Sequence, residues 1–338
     1  MDTLHPHRAV VPPVPEETPR PLWSVMIPTY NCAKFLRTTL ASVLAQDPGA
    51  DVMQIEVIDD CSTQDDPAAV VAELGHGRVG FYRQPQNVGH TKNFETCLQR
   101  SRGKLIHLLH GDDCVRDGFY HKMQQAFEHP EIGAAFCRHI FIDENGHWQG
   151  LSSLEELNTG LLSDWLQRIA VKQCIQTPSI VVKRDVYESL GGFDHRLSWA
   201  EDWEMWVRIA TRYQFWYETE PLALYRMHSA SNSGRYIRTG ENVRDLRRAI
   251  AVIKQSLPNN CADLSKKARE HYAFYAIDSA KKFAVTGDTE AAFQQMKQAL
   301  LCNLSLPIAR SALKLLLKLF YLKTLSSLRI AQSNVSSI

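Results

Sequence analysis

The stretch LIHLLHGDD, residues 105–113, decides how this sequence is interpreted. The apolar run from Leu105 to Leu109 is typical of a buried strand, so Asp112 and Asp113 would lie at the carboxyl end of that strand. Open α/β sheets bind their ligands at that edge. Two adjacent carboxylates concentrate negative charge, which a hard divalent cation such as Mg²⁺ or Mn²⁺ would neutralise. A solvated Gly-Asp-Asp turn explains the same residues, and the pair alone does not decide between them.

The overall composition is that of an ordinary globular protein. The 338 residues are 44% hydrophobic and 22% charged, and their formal net charge is +1. This balance argues against a nucleic-acid-binding protein, which would carry a strong excess of basic residues. The eight cysteines are scattered without a CxxC pair, which argues against a zinc or redox site and indicates reduced thiols in a cytosolic protein.

The pattern along the chain predicts three parts. Residues 1–20 are rich in proline and charge and lack the apolar core of a signal peptide, so we expect a disordered leader there. From residue 21 to about residue 109, apolar runs, turn residues and helical patterns alternate, which is typical of a parallel α/β sheet. The later runs are mixed, and after Ser231 the pattern is mostly helical. We therefore predict an α/β domain over residues 21–233 and a helical C-terminal region over residues 234–338.

Local patterns predict the individual elements of this α/β domain. Apolar runs predict strands at residues 22–27, 55–58, 79–82, 105–109, 134–136, 180–182 and 222–228. Helical spacing of apolar residues predicts helices at about residues 33–44, 92–99, 163–171 and 203–211. Asn31 precedes the first of these helices and is expected to be its N-cap. The loops after the first strands would all meet at one edge of the sheet.

Two of these loops carry residues that suit a nucleobase. The first strand is followed by PTYN at residues 28–31, and the second ends in Asp59 and Asp60. The Tyr30 ring can stack on a pyrimidine while an aspartate accepts a hydrogen bond from the ring N–H of the base. A plain explanation exists for each feature, since Asn31 can cap a helix and the aspartates can belong to a turn.

Acidic residues also begin a predicted helix in the second half of the domain. In AEDWEMWVRIA, residues 200–210, Glu201 and Asp202 precede an apolar stripe. The helix dipole favours acids in a first turn, which explains them structurally, and it would also keep a carboxylate ionised. An ionised carboxylate that faces a cleft can take the proton of a sugar hydroxyl as that hydroxyl attacks, which is general-base catalysis.

A third candidate group ends the run PLALYRMH, residues 221–228. Neutral imidazole is a common metal ligand, so His228 could complete a metal shell that Asp112 and Asp113 begin. Arg226 could pair with a phosphate or a carboxylate. A structural role for a single histidine is the alternative.

The order and spacing of these stretches resemble the family 2 glycosyltransferases, which have the nucleotide-sugar-binding GT-A fold. The resemblance covers about residues 21–233. It rests on VMIPTYN at 25–31, IEVIDDCST at 55–63, NVGHTKN at 87–93, HGDD at 110–113, GGFD at 191–194, AEDWEMWVRIA at 200–210 and LALYRMH at 222–228. The expected fold class is therefore α/β, with a Rossmann-like mixed sheet of the GT-A type flanked by helices and followed by a helical C-terminal extension.

The resemblance also implies roles for individual residues. Nucleotide and donor binding would involve Pro28, Thr29, Tyr30, Asn31, Asp59, Asp60, Asn87, Lys92, Asn93 and Asp112. The cation, Mg²⁺ or Mn²⁺, would be bound by Asp112, Asp113 and His228. Asp202 would be the catalytic base, and the acceptor and phosphate side would be formed by Gly191, Gly192, Glu201, Trp203 and Arg226. The family often has Asp-x-Asp-Asp, whereas here His110 occupies the first of those positions.

The activity that the resemblance implies is metal-dependent, inverting transfer of a sugar from a nucleotide-sugar donor, UDP- or dTDP-linked. The acceptor would be a glycan or a lipid-linked molecule in the synthesis of a surface polysaccharide or lipopolysaccharide. A nucleotidyltransferase is one alternative, but PTYNCAKF at residues 28–35 is not the glycine-rich basic loop that would hold a triphosphate. A non-catalytic nucleotide-binding scaffold of the same fold is the other.

Residues 308–330 carry lysines at 314, 318 and 323 among leucines. This pattern predicts a basic amphipathic helix that lies on an anionic membrane surface, and its charges disfavour a spanning helix. A helix that packs on its own domain with its lysines outward is the alternative. With membrane contact the protein would be cytoplasmic and peripheral on the inner face of the membrane.

Overall fold

The computed structural model describes residues 6–228 and 232–319. Its central strand, β1 (Trp23–Thr29), is buried along its whole length. Alternate side chains of a strand point to opposite faces of the sheet. Val25 and Ile27 accordingly enter one apolar core, whereas Met26 enters another. An apolar core thus covers each face of the sheet, as expected for an α/β fold.

One mixed sheet runs through the described chain. The remaining strands are β2 (Met53–Asp59), β3 (Gly80–Arg83), β4 (Leu105–Leu108), β5 (Cys114–Val115), β6 (Ile132–Ile142), β7 (Trp148–Leu151), β8 (Gly160–Leu161), β9 (Ile180–Lys183) and β10 (Gln214–Arg226). The main order is β3-β2-β1-β4-β9-β6-β10-β5, with β7 beside β6 and β8 beside β10. Strands β3, β2, β1 and β4 are parallel, whereas β9 is antiparallel to both neighbours. The predicted parallel first half and mixed second half are confirmed.

Helices flank this sheet and form the C-terminal region. They are α1 (Ala33–Leu44), α2 (Pro67–Gly75), α3 (His90–Arg100), α4 (Phe119–Ala126), α5 (Trp165–Ile169), α6 (Arg184–Leu190), α7 (Glu201–Ala210), α8 (Asn232–Thr239), α9 (Glu241–Ser256), α10 (Leu264–Val285), α11 (Thr289–Cys302) and α12 (306–319). Helices α1, α2 and α3 connect the parallel strands in chain order. This arrangement brings the loops after β1, β2 and β4 to the same edge of the sheet.

The strand register fixes how these loops meet. Thr29 lies opposite Asp59 at the ends of β1 and β2. The Asp60 N–H donates to the Thr29 carbonyl oxygen at 2.9 Å. On the other side of β1, the Leu109 N–H donates to the Met26 carbonyl oxygen at 3.0 Å, just before the acidic loop begins. The three predicted loops are therefore neighbours.

Residues 6–20 lie against the α/β domain instead of forming the predicted disordered leader. The guanidinium of Arg8 lies 3.5 Å from the Asp194 carboxylate and 3.0 Å from that of Glu204. The Ala9 carbonyl accepts from the Gly192 N–H, and Val11 is buried in the core. This segment is held because its arginine neutralises buried acids and its valine adds apolar burial. Residues 1–5 lie outside the described part of the chain.

Helix α12 packs on its own domain through one face and exposes another. Its residues Ile308, Ala312, Leu315 and Leu319 are buried in the core. Leu313 and Leu317 are 57% and 62% exposed, in sequence beside Lys314 and Lys318. Among the described residues, no helix is both long and apolar enough to cross a bilayer. Residues 320–330 of the predicted amphipathic helix lie outside the described residues.

Candidate active site

The acidic loop after β4 approaches β1 very closely. The Gly111 N–H donates to the Pro28 carbonyl oxygen at 3.0 Å. A Cβ at Gly111 would lie 2.5 Å from Thr29 Cγ2 and 2.9 Å from Cys32 Sγ, so only glycine fits at this position. This contact places the two aspartates that follow, Asp112 and Asp113, beside the loop after β1.

Three side chains of this loop form a candidate cation site. One ligand atom from each of His110, Asp112 and Asp113 lies within 4.8 Å of the other two. His228, at the end of β10, adds an imidazole whose Nε2 lies 3.0 Å from Asp112 Oδ2. The structure thus brings together Asp112, Asp113 and His228 as predicted, and it adds His110, which the sequence marked only as a departure from the family pattern.

The charges at this loop are unbalanced in a way that a cation would relieve. Asp113 is 1% exposed, and its Oδ2 has no hydrogen-bond partner among the described residues. Burial and the neighbouring charge of Asp112 raise the pKa of Asp113 well above its usual range. Although burial opposes ionisation, the hydrogen bond with His228 and the charge of His110 lower the pKa of Asp112. The oxygen and imidazole donors therefore fit a divalent cation such as Mg²⁺ or Mn²⁺.

Arg226 supports the acidic loop after β4 through hydrogen bonds to protein groups. Its backbone N–H donates to Asp113 Oδ1 at 2.8 Å, and its Nε donates to the Asp112 carbonyl at 2.7 Å. Its Nη1 donates to the Asp143 carbonyl, and its side chain lies over the Phe35 ring. The buried guanidinium is bonded to protein carbonyls, and its pairing with a phosphate or a carboxylate stays a prediction.

The loop after β1 offers an aromatic ring but not the predicted helix cap. Tyr30 is 47% exposed at the sheet edge, whereas Thr29 is buried. Asn31 adopts a φ of 50°, and its Oδ1 accepts from the N–H groups of Thr63 and Gln64 at 2.9 and 3.0 Å. The prediction that Asn31 caps α1 is therefore wrong.

The cap of α1 comes from the neighbouring loop instead. The Asp65 carboxylate accepts from the Ala33 N–H at 2.7 Å. Asn31 thereby remains close to the predicted nucleobase site, where its main contacts tie the loop after β1 to the loop after β2.

Asp59 and Asp60 are both buried and both bonded to protein groups. Asp59 Oδ1 accepts from the Ser62 hydroxyl at 2.5 Å, and Arg83 Nε lies 3.4 Å from its Oδ2. Asp60 accepts from the N–H groups of Val88 and Gly89 at 2.7 and 3.0 Å. Burial, despite these two bonds, raises the pKa of Asp60. Both acids order the loops at this edge of the sheet, and recognition of a nucleobase by either acid stays a prediction.

The predicted donor residues of the NVGHTKN stretch differ in their surroundings. Asn87 donates to the Asp60 carbonyl at 3.2 Å. Lys92 is exposed. Asn93 is buried and donates to the Ile58 carbonyl at 2.8 Å, while its Oδ1 accepts from Gln84 at 3.2 Å. Asn93 therefore anchors α3 to β2, and direct contact with a donor is not supported for it.

Asp202, the second residue of α7, is partly buried and bonded to polar protein groups. Its Oδ2 accepts from Gln173 Nε2 at 3.1 Å, and its Oδ1 accepts from the Trp203 N–H at 2.6 Å. Burial and the adjacent charge of Glu201 raise the pKa of Asp202 to about 8. The expectation that the helix dipole keeps it ionised is therefore wrong for the free protein, since burial outweighs the dipole. A carboxylate with a raised pKa is also a stronger base.

Glu201 links the two halves of the site. Its Oε1 lies 3.0 Å from His90 Nε2, at the start of α3. Although burial opposes it, the charges of His90 and, more weakly, His110 lower the pKa of Glu201. The acid pair of α7 and the acidic loop after β4 thus belong to one electrostatic unit.

Trp203, Gly191 and Gly192 do not form an accessible acceptor surface. Trp203 is 1% exposed and donates from Nε1 to the Ile169 carbonyl at 2.6 Å. The carbonyls of Gly191 and Gly192 accept from the buried guanidinium of Arg208, and a Cβ on Gly192 would lie 3.3 Å from Ala9. These residues support α7 and the N-terminal segment, and their acceptor role stays a prediction.

Sequence reasoning missed three residues that position the site: His90, Gln173 and Asp245. Asp245 on α9 accepts, through Oδ2, from the N–H groups of Ser198, Trp199 and Ala200 at 3.0, 2.8 and 3.0 Å. The C-terminal helical region therefore holds the segment that leads into α7. No local sequence signal reveals this contact, because its partners lie 45–47 positions apart.

The fold and this edge define a class of protein: an α/β transferase domain in which a candidate cation site and a carboxylate pair share one sheet edge. Residues 24–191 match the family model described as "Glycosyl transferase family 2". The chain belongs to this family, and it is a glycosyltransferase with the GT-A fold.

Known proteins resemble the chain over most of its length. An uncharacterized glycosyltransferase of Methanocaldococcus jannaschii, MJ1057, is 26% identical over 221 residues, which are 64% of this chain and 74% of that protein. S. aureus TarS 1–349 in complex with UDP-GlcNAc superposes with a TM-score of 0.63 at 17% identity, over 82% of this chain and 79% of the TarS 1–349 chain. The mannosyltransferase PcManGT from Pyrobaculum calidifontis, in complex with GDP-Man and Mn²⁺, superposes with a TM-score of 0.55 at 18% identity. The superposition covers 94% of this chain and 83% of the PcManGT chain.

Proposed function

We propose that this glycosyltransferase is metal-dependent and inverting, with Asp202 as its catalytic base. The observation that carries the proposal is a chain of contacts beside Asp202: its neighbour Glu201 lies 3.0 Å from His90, the His90 ring contacts Phe94, and Phe94 stacks on His110 of the candidate cation site. These contacts support a base and a cation-held donor on the same side of the sheet. This is the arrangement that in-line attack on a nucleotide sugar needs.

In the proposed reaction, one bond forms and one bond breaks at the anomeric carbon of the donor sugar. Asp202 takes the proton of an acceptor hydroxyl, whose oxygen attacks the anomeric carbon as the bond from that carbon to the nucleoside diphosphate breaks. Gln173 holds the Asp202 carboxylate through its hydrogen bond to Oδ2. Attack from the face opposite the leaving group inverts the anomeric configuration. A cation bound by Asp112, Asp113 and His228 would neutralise charge on the diphosphate.

We propose a UDP- or dTDP-linked donor, as the family resemblance implies. The half-exposed ring of Tyr30 beside the ends of β1 and β2 supports this, since it offers a stacking surface for a pyrimidine. The structural neighbours bind different donors, UDP-GlcNAc in TarS and GDP-Man in PcManGT. Thermal unfolding with UDP, dTDP or GDP, each with Mn²⁺ or with EDTA, tests the choice. Stabilisation by GDP alone would contradict it.

We further propose that the acceptor is a glycan or a lipid-linked molecule in surface polysaccharide or lipopolysaccharide synthesis, reached at the inner face of a membrane. The exposed Leu313 and Leu317 beside Lys314 and Lys318 support the membrane contact, because apolar and basic side chains together suit an anionic lipid surface. The protein would then be cytoplasmic and peripheral.

The substitution Asp202→Asn tests the catalytic proposal. We expect transfer to fall by at least about 10²-fold, which is the lower range for a general base, while the affinity for the nucleotide donor stays unchanged. Asp185→Asn is the matched control, because Asp185 is an exposed acid in the first turn of α6. Near-normal turnover in Asp202→Asn would refute the base assignment.

A further inference from the structure

His110 lies in the acidic loop at the position where the family pattern has an acid. Its Nδ1 lies 3.6 Å from Asp113 Oδ2, which is too long for a hydrogen bond. Its ring stacks on that of Phe94, with centroids 5.1 Å apart and an angle of 16° between the planes. Phe94 is itself 5% exposed, so the imidazole is held in a fixed orientation.

One carboxylate oxygen at this contact has no partner that satisfies it. Asp113 Oδ2 is buried without a hydrogen-bond partner among the described residues. Leaving such a group unpaired is costly, so its retention calls for a ligand. Two atoms that each bind one cation at about 2.1 Å can lie up to about 4.2 Å apart. The 3.6 Å separation of His110 Nδ1 and Asp113 Oδ2 fits that limit.

We propose that His110 is itself a ligand of the divalent cation, and that it makes the site selective for Mn²⁺ over Mg²⁺. The inference rests on the metal dependence proposed above. Mg²⁺ prefers oxygen ligands and near-ideal octahedral geometry, whereas imidazole nitrogen suits transition metals. A site with the His110 imidazole among its ligands would thus lose affinity for Mg²⁺ relative to Mn²⁺.

The test compares wild-type protein with His110→Phe, His110→Asp and His228→Phe. Phenylalanine keeps the stacking on Phe94 but removes both ring nitrogens, whereas aspartate offers an oxygen ligand at the same position. Mn²⁺ binding is measured from the free-ion EPR signal, with and without UDP, and Mg²⁺ binding by competition. Thermal unfolding shows that each variant is folded, and His110→Gln replaces His110→Phe if the latter is not.

We expect His110→Phe to weaken Mn²⁺ binding by at least about tenfold, since even outer-shell partners of a metal have effects of that size. His110→Asp should narrow the preference for Mn²⁺ over Mg²⁺. The ¹⁴N modulation in the pulsed EPR spectrum of bound Mn²⁺ should persist in His228→Phe, where His110 is the remaining imidazole of the site. Mn²⁺ binding in His110→Phe equal to wild type, or loss of the ¹⁴N modulation in His228→Phe, would overturn the proposal.

Two further outcomes separate this proposal from the proposed function. If the wild-type protein binds Mn²⁺ through a nitrogen of His110 but transfers no sugar, the proposed reaction fails and the ligand assignment stands. If the wild-type protein transfers sugar equally well in EDTA and binds no Mn²⁺, the ligand assignment fails along with the metal dependence, and Asp202 is still tested by its own variant.

Discussion

His90 Nε2 lies 3.0 Å from Glu201 Oε1, so an ion pair joins the first turn of α3 to the first turn of α7. Although burial alone would lower it, the Glu201 carboxylate raises the pKa of His90. Burial and the same Glu201 charge raise the pKa of Asp202. Glu201 therefore influences both the position of α3 and the proton affinity of Asp202, the proposed base.

The first prediction concerns the pH dependence of transfer. Asp202 acts as a base only when it is deprotonated, so kcat/KM of the wild-type enzyme should rise with pH through the raised pKa, about 8, and be lost below it. Glu201→Gln removes the neighbouring negative charge and should move this rise to lower pH. Glu241→Gln, at a partly exposed acid in the first turn of α9, is the control. A pH profile of Glu201→Gln that overlays the wild type would contradict the prediction.

The second prediction concerns Arg226, which supports the acidic loop through hydrogen bonds to the Asp112 and Asp143 carbonyls. Arg226→Lys keeps the charge but cannot make these bonds together, so the free energy of unfolding should fall by about 2–4 kcal/mol. Urea unfolding measures this. In Arg116→Lys, at an exposed arginine bonded to the Pro221 carbonyl, the change should stay within about 0.5 kcal/mol. Equal effects in both variants would refute the supporting role.

The third prediction concerns the N-terminal segment. Arg8→Ala leaves Asp194 and Glu204 without one of their partners, although Arg196 and Arg208 remain beside them. We expect a loss of about 1–3 kcal/mol in the free energy of unfolding. Arg244→Ala, which breaks an exposed pair with Glu241, should change it by less than about 0.5 kcal/mol. A wild-type melting temperature in Arg8→Ala would indicate that the segment is not held as described.

The sequence was most informative where structure is local. The uninterrupted burial of β1 and the helical spacing in α1 follow from apolar periodicity over a few residues. The edge location of Asp112 and Asp113 follows from the strand before them. These features need no knowledge of distant contacts, and the prediction of the fold was confirmed for that reason.

The sequence was least informative where a contact distant in the sequence decides the surroundings of a side chain. Asn31 bonds to residues about 32 positions later in place of capping its own helix. Arg226 meets the Asp112 carbonyl across 114 positions. The family resemblance implies an acceptor-side role for Trp203, and the structure shows its Nε1–H bonded to the Ile169 carbonyl in the core. Such partners are set by the tertiary fold, which single-sequence patterns do not contain.

The last prediction concerns the exposed face of α12. Leu313 and Leu317 are exposed, whereas Leu315, between them in sequence, is buried. If this face meets lipid, the double substitution Leu313→Glu and Leu317→Glu should weaken binding to anionic vesicles by well over tenfold, because each buried leucine contributes about 1.5–3 kcal/mol. Co-sedimentation with vesicles of phosphatidylglycerol and phosphatidylcholine measures the effect. Leu157→Glu, at a leucine that is 83% exposed in the α/β domain, should bind as wild type does. Binding that is equal in all three proteins, or no binding by the wild type, would show that this face does not contact the membrane.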